Sequence, residues 1–338
     1  MIQFAMDSLS QIALGASIAI VATSGTKHRR IIFWAAFLAT LPDLDIFFPA
    51  ANDLELALSH RTWTHSWIIQ SLIAPFAAWL IYKIDKTLNY LHWLLIVWLV
   101  WVTHSALDVF TVYGTHIFWP FGGESIFLAN VFIIDPLYTL PFLLTLILAF
   151  FSKTKNAYRL ATAGLIISNV YLLWTLSAQK FIFQRTVVEL KKQNISYEKI
   201  FIGPTYFNSF LWRIVVLKKE KYYEAFSSVF DKTPNIYFSS YSRNLNLISS
   251  LKKEPVIKKL KYFSHDYYAV ELADKKRSIR VVDLRMGWSA NYYFKYKIAE
   301  IKSSKKTYKI VTPQRITSRP LKGEIKNIWN RIWNKTKL

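Results

Sequence analysis

Stretches without Asp, Glu, Lys or Arg dominate the first 179 residues of the chain. They are Ser8–Thr26, Ile31–Pro42, Thr62–Tyr82, Thr87–Leu107, Pro136–Ser152 and Leu160–Gln179. Most run for about 17–21 residues, close to the roughly 20 that a helix needs to cross the hydrocarbon core of a bilayer. Helices of a soluble domain need a polar face, which these stretches lack. The pattern predicts an α-helical polytopic membrane bundle of about five or six hydrophobic helices, with Ile31–Pro42 short enough to be half-inserted.

From about Lys180 the pattern changes to short mixed segments. Three of these segments are rich in β-branched and aromatic residues, which is typical of strands. They are Tyr267–Leu272, Ile279–Leu284 and Tyr292–Ile298, whereas Phe181–Lys192 is suited to extend the last apolar helix. We therefore predict three regions. They are a transmembrane domain at 1–179, a soluble basic α+β domain at 180–302 and a basic C-terminal tail at 303–338.

The charge divides at the same boundary. Residues 1–179 hold nine Lys or Arg and nine Asp or Glu, whereas residues 180–338 hold 34 and twelve. The whole net charge of +22 therefore belongs to the second part. Because that part is tethered to a bilayer, anionic lipid headgroups are the nearest polyanion, with an anionic substrate or simple solubility as alternatives. No nucleic-acid-binding motif accompanies the charge, so nucleic acid is the least favoured partner.

Basic residues in the short loops predict the orientation of the bundle. The loops near residues 25–30, 83–89 and 152–159 carry eight Lys or Arg, whereas those near 50–65 and 111–130 carry only Arg61. With six spans, the first set of loops faces the cytoplasm of a bacterial cell. The C-terminal domain then lies on the non-cytoplasmic side of the inner membrane. No basic residue precedes Lys27, so we expect no cleavable signal peptide.

The rare polar residues of the first half fall at the non-cytoplasmic end of this predicted bundle. The chain has no cysteine, so any metal site must use His, Asp or Glu. Charged groups at membrane depth are costly, and a cluster of them indicates a functional site. The candidate metal ligands are Asp43, Asp45, His60, His65, His104 and Asp108.

Two of the spacings favour a shared ion. His104 and Asp108 are four residues apart, so both side chains lie on one face of a helix. Asp43 and Asp45 follow Pro42 with one residue between them, and an extended segment turns both carboxylates to the same side. Each pair could therefore contribute two donors to one ion.

The remaining histidines, His60 and His65, converge more easily if His60 lies in a loop and His65 in the first helical turn. Together, the six residues predict one or two divalent ions, with Zn²⁺ first and Mn²⁺ as an alternative. Such an ion lowers the pKa of water and polarises a phosphoryl or carbonyl oxygen. Asp7 and Asp135 lie at the same end, but Asp135 before Pro136 fits a helix N-cap.

Four ordered motifs around these residues resemble the YdjM-like family, described as LexA-regulated, membrane-bound metal-dependent hydrolases. The motifs here are Met6–Ser10, Pro42–Asp45, His60–Ser66, and His104 to Asp108 continuing through Thr111, Gly114, Trp119 and Pro120. The stretches Asn130–Tyr138 and Pro204–Trp212 are similar to a longer subgroup with a C-terminal domain. The resemblance implies that the same six residues are the metal-site candidates. Many members carry a histidine where this chain has Gln11.

These observations predict an integral membrane metal-dependent hydrolase acting on an ester or phosphoester of a lipid or lipid-linked substrate. Asp43 or Asp45, if free of the metal, could act as a general base, and Arg61 could hold a phosphate. One alternative is a structural or sensory membrane protein in which an ion joins three helices. Another is an ion-coupled transporter, which would place acidic residues along a mid-membrane path rather than at one end.

Overall fold

A computed structural model describes residues 2–26, 28–233, 235–275, 277–288, 291–301, 308–316 and 323–333, without the side chains of 2–7, 301 and 324. The chain divides into two compact units. The first unit consists of Met1–Phe48, His60–Ser177 and Tyr206–Ser209, and the second of Pro49–Ser59, Ala178–Thr205 and Phe210–Leu338.

The first unit is built from α-helices connected by loops and short 3₁₀ turns. The α-helices of the chain are α1 (Ile2–Ala22), α2 (Arg29–Thr40), α3 (Asp53–Ser59), α4 (Trp67–Ile84), α5 (Tyr90–Val109), α6 (Pro136–Phe151), α7 (Thr154–Lys192), α8 (Pro255–Phe263) and α9 (Glu324–Ile332). The 3₁₀ turns are Pro42–Phe47, Trp63–His65 and Leu245–Leu251.

Among the described residues, α4, α5 and α7 are long and apolar enough to cross a membrane, and Ser8–Ala22 and Pro136–Phe151 are shorter apolar helices. Less than half of each spanning stretch is buried inside the protein, which leaves apolar side chains for contact with lipid. The predicted helical, apolar N-terminal part is confirmed. The number of five or six spans stays a prediction.

Small residues bring α1 and α2 into close contact. A Cβ atom on Gly15 would lie 2.9 Å from the Cβ of Ala39 and 3.0 Å from the carbonyl oxygen of Ala35, and both alanines are fully buried. Close backbone approach of this kind is how helices pack in lipid, where hydrophobic burial supplies little driving force. The end of α2 is therefore fixed just before the chain turns at Pro42.

Hydrogen bonds from α5 hold the same end of α2. The indole nitrogen of Trp101 donates to the carbonyl of Leu38 at 3.1 Å, and Nδ1 of His104 lies 2.8 Å from the carbonyl oxygen of Ala39. Both donors sit on the buried face of α5. The segment that follows α2 is therefore placed against the last turns of α5.

Two local predictions from the sequence are confirmed. Asp135 caps α6 by accepting a hydrogen bond from the backbone nitrogen of Leu137 at 3.0 Å, with Pro136 in the first turn. The last apolar helix continues without a break through Phe181–Lys192 and forms the C-terminal part of α7.

Within its described residues, the second unit contains two four-stranded antiparallel sheets and one two-stranded antiparallel sheet. The strands are β1 (Lys199–Pro204), β2 (Leu211–Lys218), β3 (Lys221–Ser228), β4 (Ser239–Ser242), β5 (Tyr268–Ala273), β6 (Ser278–Asp283), β7 (Gly287–Trp288), β8 (Asn291–Tyr292), β9 (Lys295–Ile301) and β10 (Tyr308–Ile316). The sheets have the orders β1-β2-β3-β4 and β10-β9-β6-β5, and β7 pairs with β8. The three predicted strands correspond to β5, β6 and the β8–β9 region. The sheet from β1 to β4 was not predicted.

The region 303–338, predicted as a basic tail, contributes β10 and α9 within its described residues.

The interior of the second unit contains a buried charged pair. Nε of Arg213 on β2 lies 2.9 Å from Oε1 of Glu224 on β3, and its Nη1 donates to the carbonyl of Leu284. Removal of either partner would leave an uncompensated buried charge, which is strongly destabilising.

Helix α3 lies in the sequence between Asp45 and His60 but packs within the second unit. Oδ2 of Asp53 accepts a hydrogen bond from the backbone nitrogen of Arg315 at 2.8 Å, and Glu55 forms an ion pair with Lys259. The chain therefore leaves the first unit after Phe48 and returns to it at His60.

Candidate metal centre

Four predicted ligands from three segments of the first unit meet at one point. They are Asp43 in the turn after α2, His65 in the turn before α4, and His104 and Asp108 on α5. One ligand atom from each residue lies within 4.8 Å of the other three. All but Asp43 are buried, and the Asp43 side chain is 15% exposed. The group could hold a metal ion.

The distances within this four-donor group match the size of a coordination shell. Nε2 of His65 lies 3.0 Å from Oδ2 of Asp108, 3.3 Å from Oδ1 of Asp43 and 3.2 Å from Nε2 of His104. Nε2 of His104 lies 3.5 Å from the same oxygen of Asp108 and 3.6 Å from that of Asp43. Tetrahedral ligands about 2.0–2.1 Å from Zn²⁺ are about 3.3–3.4 Å apart, so these atoms are spaced as ligands of one ion.

The carboxylate oxygens of the four-donor group also need a partner. Oδ1 of Asp43 and Oδ2 of Asp108 are buried, and the described residues give them no hydrogen bond of suitable geometry. A buried carboxylate oxygen without a donor is costly. A divalent cation would satisfy both oxygens and both Nε2 atoms, so the residues fit a metal ion.

Hydrogen bonds on the far side of each imidazole orient the two histidine ligands. Nδ1 of His104 faces the carbonyl oxygen of Ala39, so it carries the hydrogen and Nε2 keeps its lone pair. Nδ1 of His65 lies 2.9 Å from the hydroxyl of Thr64, which donates to Oδ2 of Asp45 at 2.7 Å. Such outer contacts fix the ring orientation and increase the basicity of a metal ligand.

Asp108 is positioned by two donors at its other oxygen. Oδ1 of Asp108 lies 3.1 Å from Nη2 of Arg61 and 3.3 Å from Nε2 of Gln11. Arg61 also donates from Nη1 to the hydroxyl of Thr111 at 3.0 Å, and its side chain is only 4% exposed. The structure thus places the Arg61 guanidinium against a ligand, and its predicted contact with a phosphate stays a prediction.

Asp45 and His60, predicted as ligands, lie beside the four-donor group and pair with each other. Oδ1 of Asp45 is 2.6 Å from Nδ1 of His60. Its Oδ2 accepts hydrogen bonds from the backbone nitrogen of Arg61 and from Thr64. Protein donors therefore occupy both oxygens of Asp45. The His60 ring is centred 5.9 Å from that of His65, and its side chain is 12% exposed.

The backbone at Arg61 explains this arrangement. Arg61 has a φ of 60°, in the left-handed region that residues other than glycine seldom adopt. Its nitrogen donates to Asp45 and its carbonyl accepts from the nitrogen of His116 at 3.0 Å. These contacts hold the turn that directs His60 toward Asp45 and leaves His65 for the four-donor group. His116 itself is not part of that group.

Sequence reasoning missed several residues that support the site. Thr64 and Thr111 lie inside the recognised motifs, so their place in a motif was an available signal. Gln70 gave no such signal, although its Nε2 donates to the hydroxyl of Ser105 at 2.7 Å and to the carbonyl of Thr64 at 2.9 Å. These contacts join α4 to α5 behind the ligands. The side chain of Asp7 lies outside the described residues.

The carboxylates also control the protonation of His65. Burial alone would lower the pKa of this imidazole, but Asp108 and Asp43 raise the pKa to about 9. Burial disfavours the charged form of Asp43, yet the neighbouring imidazoles of His104 and His65 hold its pKa well below the usual value. At neutral pH this arrangement keeps both ring nitrogens of His65 protonated beside an ionised Asp43.

Zinc binding at pH 7 should therefore release about one proton, because a ligand imidazole must give up the proton on its donor nitrogen. Below pH 9 the affinity should rise with pH, since fewer His65 side chains remain protonated. Calorimetric titration of the metal-stripped protein in two buffers of different ionisation enthalpy measures the released proton. Equal heats in both buffers would show that His65 is already neutral before zinc binds.

The residues that build this site fall in a stretch shared with known proteins. The profile of a family described as YdjM inner membrane protein matches residues 6–182. The chain is also 24% identical over 304 residues to the uncharacterized protein YfhP of Bacillus subtilis (strain 168), with 86% of this chain and 89% of that protein covered. No solved structure matches the chain. Because the family profile covers more than half of the chain and every residue of the four-donor group, the protein belongs to the YdjM inner membrane protein family.

Proposed function

We propose that the protein is a membrane-embedded, metal-dependent hydrolase. Asp43, His65, His104 and Asp108 would hold a divalent ion, because their donor atoms are spaced as one coordination shell. Two imidazoles with two carboxylates favour Zn²⁺, with Mn²⁺ as the second choice. A bound ion of this kind supplies Lewis acidity that polarises an ester oxygen and lowers the pKa of water.

The Asp45–His60 pair is the observation that favours hydrolysis over simple metal binding. The contact between Asp45 Oδ1 and His60 Nδ1 fixes the imidazole and leaves Nε2 as the proton-transfer atom. A carboxylate that orients a histidine in this way also stabilises its protonated form. His60 is partly exposed and stands beside the ligand His65. It would take a proton during attack by water and return it to the leaving group.

Apolar side chains beside the site support a lipid or lipid-linked substrate. Phe48 and Trp63 stack with their ring centres 5.8 Å apart, and both are exposed. Phe48 follows the turn that carries Asp43, and Trp63 begins the turn that carries His65. Acyl chains would contact these rings while the ester reaches the ligands. The basic loops near residues 25–30, 83–89 and 152–159 favour a multi-pass arrangement with the site at the non-cytoplasmic face.

Chelation should abolish turnover, and zinc should restore it. The purified chain in nanodiscs of mixed phospholipids would be assayed for hydrolysed lipid by mass spectrometry, before and after metal stripping. Loss of products on stripping with recovery on adding zinc supports the hydrolase. Equal turnover of the stripped and loaded protein would contradict it. A mock preparation that lacks the protein controls for contaminating lipases.

A structural metal is the second candidate, and the donor count favours it. Four protein ligands complete a tetrahedral shell, as in closed structural zinc sites, whereas catalytic zinc keeps one position open. In this case the ion would join α2, α4 and α5 through their adjoining turns. Tightly bound zinc without hydrolysis of any membrane lipid or lipid-linked ester would support this function over the hydrolase.

A further inference from the structure

Helix α9 in the second unit presents an apolar stripe to the outside. Ile325, Trp329 and Trp333 recur at every fourth residue, so they line one side of the helix. Their exposed fractions are 58%, 59% and 46%. The adjoining part of the same face is buried, with Ile328 and Ile332 at 3% and 1% exposure. The helix therefore has one wide apolar face, and burial in the unit covers only part of it.

The exposed tryptophan residues are held firmly in place. Arg331 forms an ion pair with Asp231 at 2.7 Å and 2.9 Å. Trp333 stacks on Phe230 with ring centres 5.0 Å apart, and the hydroxyl of Ser228 donates to the carbonyl of Ile332. A partner would therefore meet a preformed surface, with little ordering cost on binding.

The segment that holds α9 also contacts α7, just after the apolar stretch of α7. Nη1 of Arg185 on α7 lies 3.4 Å from the carbonyl of Asp231 and 3.5 Å from that of Ser228. Arg185 follows the last residue of the charge-free run, Gln179, by six residues, or about 9 Å along a helix. The headgroup region extends about 5–8 Å beyond the hydrocarbon core on each side, so Arg185 would lie near its outer edge.

We propose that the α9 stripe, formed by Ile325, Trp329 and Trp333, lies in the headgroup layer of the membrane that α7 crosses. Tryptophan is enriched at this depth, because its ring is apolar and its N–H remains hydrated. Residues 319–338 carry six basic side chains and one acidic one, so the occupant is a bilayer surface with anionic phospholipid. This surface is independent of the proposed hydrolase, because none of its residues belongs to the metal centre.

Because the chain has no cysteine, a single introduced cysteine can be labelled specifically for a fluorescence test. Ile325→Cys would be labelled with an environment-sensitive dye in the full chain and placed in nanodiscs of phosphatidylcholine and phosphatidylglycerol. Tyr237→Cys, which is 69% exposed in the same unit, is the matched control. We expect lipids with nitroxide at the headgroup to quench the emission at position 325 severalfold more than the emission at position 237. The emission of the dye at position 237 should instead be quenched by iodide dissolved in the aqueous phase.

A second variant tests the stripe and leaves the buried residues Ile328 and Ile332 unchanged. Trp329→Ser with Trp333→Ser should reduce lipid quenching at position 325, as should discs of phosphatidylcholine alone. Quenching of the position 325 dye by iodide and not by lipid would overturn the proposal. Equal lipid quenching at 237 and 325 would also overturn it, as would protection that depends on two chains per disc, which indicates a second copy as occupant.

Discussion

Replacing His104 with alanine should lower the affinity of the protein for zinc by at least about 100-fold. Structural zinc sites bind with about 10–16 kcal/mol, so each of four ligands accounts for about 3 kcal/mol. His104 supplies the Nε2 atom that faces His65 and both carboxylates. Zinc per protein, measured by mass spectrometry after dialysis against a weak chelator, is the readout.

His92→Ala is a matched control on the same helix. His92 is exposed near the start of α5 and lies 2.8 Å from the side-chain oxygen of Asn89, so its removal should leave zinc content unchanged. Since His104 is buried, folding is checked by size-exclusion chromatography, and His104→Gln preserves more of the side-chain volume. Zinc should raise the melting temperature of the wild type and the His92 variant but not of the His104 variants. Full zinc content in both His104 variants would rule out the four-donor group.

The membrane half was predictable because its signal depends on composition. Uncharged runs of helical length need no knowledge of tertiary contacts to be recognised. The sheet from β1 to β4 gave a weaker signal, and β2 illustrates the reason. Seven of the eight residues of Leu211–Lys218 are buried, so the strand lacks the alternation of polar and apolar residues that marks a half-exposed strand. Periodicity alone does not separate such a run from a buried helix.

For the candidate site, the sequence indicated the donor types but not which donors share a centre. The one-turn spacing of His104 and Asp108 is a property of any helix. The pairing of Asp45 with His60 is a tertiary contact, because these residues are 15 positions apart in the sequence. It depends on the left-handed backbone of Arg61, which no local pattern predicts for an arginine.

Gln11 shows how a departure from the family pattern can leave a site intact. A histidine at this position in many relatives suggested that a ligand was missing here. In this chain Nε2 of Gln11 lies 3.3 Å from Oδ1 of Asp108 and donates to it. The other oxygen of Asp108 faces the two imidazoles. The amide therefore positions a ligand, and the four-donor group is complete without a donor from α1.

Replacing His60 with alanine should lower turnover by about 10²- to 10⁴-fold, the range for loss of a general acid–base group. Zinc content should stay unchanged, because the four-donor group does not include His60. Added imidazole should restore part of the rate, since the partly exposed position of His60 admits a small molecule. Lipid turnover in nanodiscs and zinc per protein are measured on the same sample.

The His60 variant also separates the two roles that this histidine could have. If His60 is a metal ligand, its replacement should remove bound zinc and turnover together, and added imidazole should restore both. As the proton-transfer group, it changes turnover alone. His28→Ala, which removes an exposed histidine before α2, should change neither quantity. Unchanged turnover in the zinc-loaded His60 variant would exclude the Asp45–His60 pair from the reaction and favour the structural metal.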